Sequence, residues 1–132
     1  MAEAAIHPKR HPVAKILIAE DDMAVREFVS RALGNSGHDV TAATDGVQAL
    51  EALAQDTYDL LLSDIVMPEM DGIALALKVS KDWPDLPILL MTGYAAERQR
   101  AHNLDVLIHD VIPKPFTLQQ ICDAAEKVLE NR

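Results

Sequence analysis

The sequence predicts an α/β fold, a parallel sheet covered by helices on both faces, and three observations lead there. Short runs of consecutive apolar residues recur along the chain, and segments with helical apolar spacing separate them. At 132 residues with 49% hydrophobic content there is core for one domain, and too little chain for two of ordinary size. The runs are Ile16-Leu17-Ile18-Ala19, Leu60-Leu61-Leu62, Ile88-Leu89-Leu90-Met91 and the less pure Val106-Leu107-Ile108. Apolar residues on consecutive positions suit strands buried on both faces, as parallel strands are.

Taken in order, residues 1–13 carry two His-Pro pairs and no hydrophobic periodicity, so they read as a flexible N-terminal tail before a domain at 14–132. After the first apolar run, Val25, Phe28, Val29, Ala32 and Leu33 keep i, i+3, i+4, i+7 spacing, with Asp22 as N-cap and Gly37 as stop signal. Asp39 to Ala43 fits an edge strand. Val47, Leu50, Leu53 and Ala54 give a second helix after Asp45-Gly46, and Ile73, Ala76, Leu77 and Ser80 a third that ends before Pro84. A fourth helix around Ala95 to Ala101 has almost no apolar stripe. The fifth starts at Thr117, an N-cap, and runs through Leu118, Ile121, Cys122, Ala125 and Leu129. The sum is five βα units.

Composition narrows the function. Twelve Lys and Arg against 21 Asp and Glu give a net charge of −9, which argues against neutralising nucleic-acid phosphates or anionic lipid. A protein or a cation is the expected partner, with no nucleic acid and no membrane. The lone Cys122 excludes a disulfide framework and a Cys-rich zinc site, and on the apolar face of the last helix it reads as core. The longest nearly apolar stretch, Leu86 to Ala96, is interrupted by Pro87, Thr92 and Gly93, too short to span a bilayer, and no signal peptide precedes it. The expected compartment is the cytoplasm.

What stops each apolar run carries the chemistry. The first ends in Glu20-Asp21-Asp22, another in Asp64, another in Thr92, and the segment Val111-Ile112-Pro113 in Lys114. Open α/β sheets bind ligands at the carboxyl ends of their strands. If those strands are neighbours, three carboxylates, a hydroxyl and an ammonium meet in one crevice. Carboxylates so close cannot all stay ionised without a cation, and an all-oxygen ligand set favours a hard ion such as Mg²⁺. A carboxylate can also attack phosphorus, and such transfer needs chiefly charge neutralisation and alignment. Asp64, in the Pro- and Gly-containing loop DIVMPEMDG, is the candidate nucleophile. Each residue also has a plainer reading. The acidic run could serve the helix dipole, with Asp22 doing only that; Asp64 could be an ordinary loop acid; Thr92 could cap a turn; Lys114 could be solvated; and Asp71-Gly72 reads as turn chemistry. The five histidines, His7, His11, His38, His102 and His109, show no metal-ligand spacing.

On these residues the chain resembles the receiver domain of two-component response regulators, from about Lys15 to Leu129. DIVMPEMDG matches the family's nucleophile loop, and Asp21, Asp64, Thr92 and Lys114 follow at intervals of 43, 28 and 22 residues. The resemblance implies a flavodoxin-like sheet of order 2-1-3-4-5 with five helices. It implies Mg²⁺ held by Glu20, Asp21, Asp64 and the backbone carbonyl of Val66, phosphorylation of Asp64, phosphoryl binding by Thr92 and Lys114, and a cis Lys114-Pro115 bond. Partners would be a histidine kinase or phosphotransfer protein and a downstream target, the chain itself being a monomer or weak dimer. Within the family it is similar to the CpdR group of single-domain regulators, protease adaptors, which makes a protease complex a candidate target. The usual aromatic three residues before the lysine is replaced by Val111, so Tyr94 is the candidate switch aromatic. No output domain follows Glu130, so output is expected as binding in trans. The alternatives are a phosphorelay shuttle and an Asp-nucleophile phosphohydrolase. The second is disfavoured because Val66 stands where those enzymes carry a second acid; dinucleotide and nucleotide folds are disfavoured because the glycines form neither GxGxxG nor a P-loop.

Overall fold

The computed structural model describes residues 13–93, 95–104 and 107–131, so the tail up to Pro12, Tyr94 and Val106 lie outside the described residues. The order is β1 (Lys15–Ala19), α1 (Met23–Asn35), β2 (Asp39–Ala43), α2 (Gly46–Gln55), β3 (Leu60–Asp64), α3 (Gly72–Asp82), β4 (Ile88–Thr92), α4 (Ala95–His102), β5 (Asp110–Pro113) and α5 (Leu118–Glu130). All strand pairs are parallel, in the order β2-β1-β3-β4-β5.

The consecutive apolar runs are the sheet's centre. Every residue of β3 and β4 is buried, as is all of β1 after Lys15. Successive side chains alternate between two cores: Ile16, Ile18, Leu60, Leu62, Leu89 and Met91 face α1 and α5, while Leu17, Ala19, Leu61, Ile88 and Leu90 face the side of α2, α3 and α4. The helix stripes follow. In α1, Val29, Ala32 and Leu33 are buried and Phe28 stays at the rim, 41% exposed. In α2 the buried face turns to Ala49 and Leu53, leaving Val47 exposed. Asp22, Asp45, Asp71 and Thr117 cap α1, α2, α3 and α5, and Thr117 forms a reciprocal capping box with Gln120. Gly37 ends the α1 turn at φ 99°, a conformation that favours glycine.

One strand is corrected. The apolar run ending at Ile108 is not β5: Leu107 and Ile108 donate their N–H groups to Leu104 O at 2.7 and 3.0 Å in a turn, and the strand begins at Asp110. As a sheet edge, β5 buries only Ile112 fully, so it needs no long apolar run. Val111 is half-buried against the α2–α3–α4 side. His38 and His109 are structural, each accepting a backbone N–H on Nδ1, from Ala14 at 3.2 Å and Ile88 at 3.1 Å. Among the described residues no helix is long and apolar enough to cross a membrane.

Candidate functional site

The carboxyl ends of β1, β3, β4 and β5 bring the predicted residues together. Glu20 and Asp21 follow β1, Asp64 and Thr92 are the last residues of β3 and β4, and Lys114 follows β5. Backbone bonds fix each end: Glu20 N–H donates to Ala43 O at 3.1 Å, Ile65 N–H to Met91 O at 3.2 Å, and Lys114 N–H to Thr92 O at 2.7 Å. The Lys114-Pro115 bond is cis.

Lys114 spans the crevice. Its Nζ lies 3.0 Å from Glu20 Oε1 and 2.9 Å from Asp64 Oδ1. Carboxylate oxygens of Glu20, Asp21 and Asp64 all fall within 4.8 Å of one another. Glu20 and Asp64 are buried, and Asp21 is exposed. Burial pushes the Glu20 carboxyl above its ordinary range; the Lys114 bond and the Asp22 N–H pull against that shift, and the Asp64 charge adds to it. Burial likewise pushes Asp64 up against the opposing pull of Lys114. For Lys114, burial lowers basicity, but the bonds to Asp64 and Glu20 outweigh it and hold the ammonium above its usual value. One lysine thus leaves the three acids under-neutralised. A hard divalent cation suits this all-oxygen donor set, and the acidic cluster could hold one.

The loop after Asp64 is shaped by Gly72. Its N–H donates to Ile65 O at 2.7 Å, and a Cβ there would lie 2.0 Å from Asp64 O. Asp64, Val66, Gly93, Glu97, Lys114 and Pro115 line a cleft of about 370 Å³ over the crevice. Asp22 stands apart as the α1 N-cap, Oδ1 accepting from Val25 N–H at 3.1 Å.

Two residues escaped sequence reasoning. Arg26 donates through one guanidinium nitrogen to the carbonyls of Glu20 and Asp21 at 2.9 and 3.2 Å, clamping the acidic turn. Its only signal was a position one helical turn beyond Asp22. Glu97 is buried, and its Oε1 accepts from the Thr92 hydroxyl at 3.1 Å and the Gly93 N–H at 3.3 Å. An acid in a helix's first turn reads as dipole compensation, which hid it.

A parallel 2-1-3-4-5 sheet with a lysine-bridged acidic crevice at its carboxyl edge defines a flavodoxin-like α/β domain. Residues 16–126 match the response regulator receiver domain, and the chain belongs to that family. It is 42% identical over 115 residues to the response regulator receiver protein CpdR of Brucella abortus, covering 87% of this chain and 96% of that protein. It is 40% identical over 107 residues to the response regulator MprA of Mycobacterium ulcerans, covering 81% of this chain. The chain spans less than half, 46%, of the MprA length. The chemotaxis response regulator CheY4 of Vibrio cholerae superposes with a TM-score of 0.82 at 27% identity, covering 89% of this chain and 99% of CheY4. The chain therefore carries a receiver domain, the phosphoacceptor module of two-component signalling.

Proposed function

We propose that this chain is a Mg²⁺-dependent switch in which Asp64 accepts a phosphoryl group from a phosphohistidine donor, a histidine kinase or phosphotransfer protein. The observation that carries the reading is the bridge from Lys114 to both Glu20 and Asp64 at one strand-end crevice. In the transfer an Asp64 carboxylate oxygen bonds to phosphorus as the phosphorus–nitrogen bond of the donor imidazole breaks, and the departing imidazole nitrogen takes up a proton. Glu20, Asp21, Asp64 and the Val66 carbonyl are the ligands we assign to the ion. When bound, it neutralises charge on the phosphoryl oxygens. Lys114 supplies a second positive charge, and the Thr92 hydroxyl a donor to a phosphoryl oxygen. Val25, Phe28, Pro115 and Phe116 line a shallow apolar groove of about 270 Å³ beside Lys114, which supports a protein as the donor.

The output is a changed affinity for a target protein in the cytoplasm, a protease complex being the target that likeness to the CpdR group suggests. Incubation with acetyl phosphate and Mg²⁺ followed by intact mass tests the chemistry: one adduct of about 80 Da is expected, abolished by Asp64→Ala and by EDTA. An adduct that persists in Asp64→Ala refutes the assignment of Asp64. Continuous release of phosphate over many turnovers refutes the switch in favour of a hydrolase.

A further inference from the structure

Among the described residues the proposed chemistry leaves one buried carboxylate without a task. Glu97, the third residue of α4, is 8% exposed, although its helix, AAERQRAH, offers almost no apolar surface to hold it there. It lines the same cleft as Asp64 and Lys114, and its charge adds to the burial that holds the Asp64 carboxyl high. It also accepts the one proton of the Thr92 hydroxyl.

Building on the phosphoacceptor reading, we infer that Glu97 is a latch: it competes with the phosphoryl group on Asp64 for the Thr92 hydroxyl, and the arriving group expels it together with the first turn of α4. A hydroxyl has a single proton to donate. While that proton serves Glu97 Oε1, no phosphoryl oxygen receives it. Phosphorylation turns the singly charged Asp64 carboxylate into an acyl phosphate of about two negative charges, in a cleft that already contains the Glu97 carboxylate, and like charges so confined repel. Lys114 already serves Glu20 and Asp64 and, in the proposed transfer, the phosphoryl oxygens, so its one charge is divided among them.

The latch is light enough to move. Besides Glu97, Ala101 is the α4 side chain buried among the described residues. The Arg100–Asp71 ion pair at 3.2 Å, which ties α4 to the α3 cap, is half-exposed and weak. A two-state element held by so little lies within reach of one phosphoryl group. The Gly93 N–H, which shares Oε1 at 3.3 Å, is released in the same event and reports it.

The test is titration of the full chain with beryllofluoride in Mg²⁺, followed by backbone amide NMR, in the wild type, Glu97→Gln and Glu97→Ala. Glu97→Gln keeps the shape and an acceptor but drops the charge, and should bind the mimic about tenfold tighter. Glu97→Ala also frees the hydroxyl. It should bind at least as tightly, and before any mimic is added its Gly93 and α4 amides should already lie part-way along the line from free to bound wild type. In a Thr92→Ala background the gain from Glu97→Ala should shrink, because the two groups act through one bond. A residue serving only the helix dipole would leave mimic affinity unchanged in both variants, and that result overturns the latch while wild-type binding stands. Glu97→Gln retains the side-chain volume, so the question remains answerable if Glu97→Ala unfolds. A wild type that takes no mimic overturns the phosphoacceptor reading, and this inference with it.

Discussion

Gly72→Ala and Gly34→Ala are the same substitution with opposite expected outcomes. At Gly72 the added methyl would sit 2.0 Å from Asp64 O and 2.9 Å from both Asp64 C and Ile65 Cα, all backbone atoms. Side-chain Cβ atoms essentially never approach closer than 3.0 Å, so the carbonyl and the methyl must part by at least 1 Å. That movement displaces the start of α3 or the end of β3 and strains the Gly72 N–H bond to Ile65 O at 2.7 Å. Overpacking against backbone costs about 3 kcal/mol, or roughly 10 °C in the thermal midpoint of a domain this size. Because the displaced atom is the carbonyl of Asp64 itself, phosphorylation by acetyl phosphate should slow about a hundredfold. Gly34, near the end of α1, has nothing within 4 Å of its would-be Cβ. Alanine there should stabilise by about 0.5 to 1 kcal/mol and leave the rate alone. Thermal melts followed by circular dichroism and intact-mass phosphorylation time courses read both quantities. A Gly72→Ala protein that melts within about 2 °C of wild type and phosphorylates at the wild-type rate would refute the close-approach argument.

The crevice and its rim give three further expectations. Lys114→Met leaves Glu20 and Asp64 without their shared ammonium and should lower stability by about 3 kcal/mol near neutral pH. Both carboxyls are held above their ordinary values of 4.5 and 3.8, so the folded state keeps protons that the unfolded chain has lost, and stability falls as pH rises through that window. The deficit of the variant should therefore shrink on acidification towards pH 4.5, and urea melts in which it grew would contradict this. Mg²⁺ at a hundredfold excess over its dissociation constant should stabilise the wild type by about 2.7 kcal/mol in thermal melts, and Asp21→Asn should lose most of that gain. Phe28→Ala, at the exposed groove, should slow phosphorylation by a phosphohistidine-bearing protein about tenfold while acetyl phosphate reacts as before; equal slowing by both donors would remove the groove from donor docking.

The parts of this fold legible in the sequence are those where one physical demand acts alone. β1, β3 and β4 are buried on both faces, so their residues are consecutively apolar and unmistakable. Asp22, Asp45 and Thr117 cap helices through contacts with residues three positions on, a purely local requirement. Edge positions carry weaker demands. β5 pairs with β4 alone and buries only Ile112 fully, so the more apolar segment ending at Ile108 outweighed Asp110–Pro113 in the reading. The crevice was legible because its side chains stand at or beside strand ends, where the apolar run itself marks the position. Glu97 was not, since its burial follows from the Thr92 hydroxyl and the Gly93 N–H, partners that no periodicity reveals. Gly72 read as turn chemistry for a similar reason: the approach of α3 to the β3 carbonyl is a tertiary fact.

The same division explains why a switch can be built into so small a domain. Asp64 and Thr92 end strands whose every residue is buried, and Glu20 follows a third, so their backbone positions are fixed by the part of the molecule least able to deform. The charge they confine is unfavourable without a cation, and the two cores of the sheet sustain it. α4, by contrast, has little apolar surface and meets the site through a carboxylate that chemistry at Asp64 would repel. Rigid acids beside a loosely held helix convert a change of charge into a change of surface. Reversing the arrangement, with a well-packed α4 and mobile strand ends, would blunt the chemistry and leave nothing for it to move.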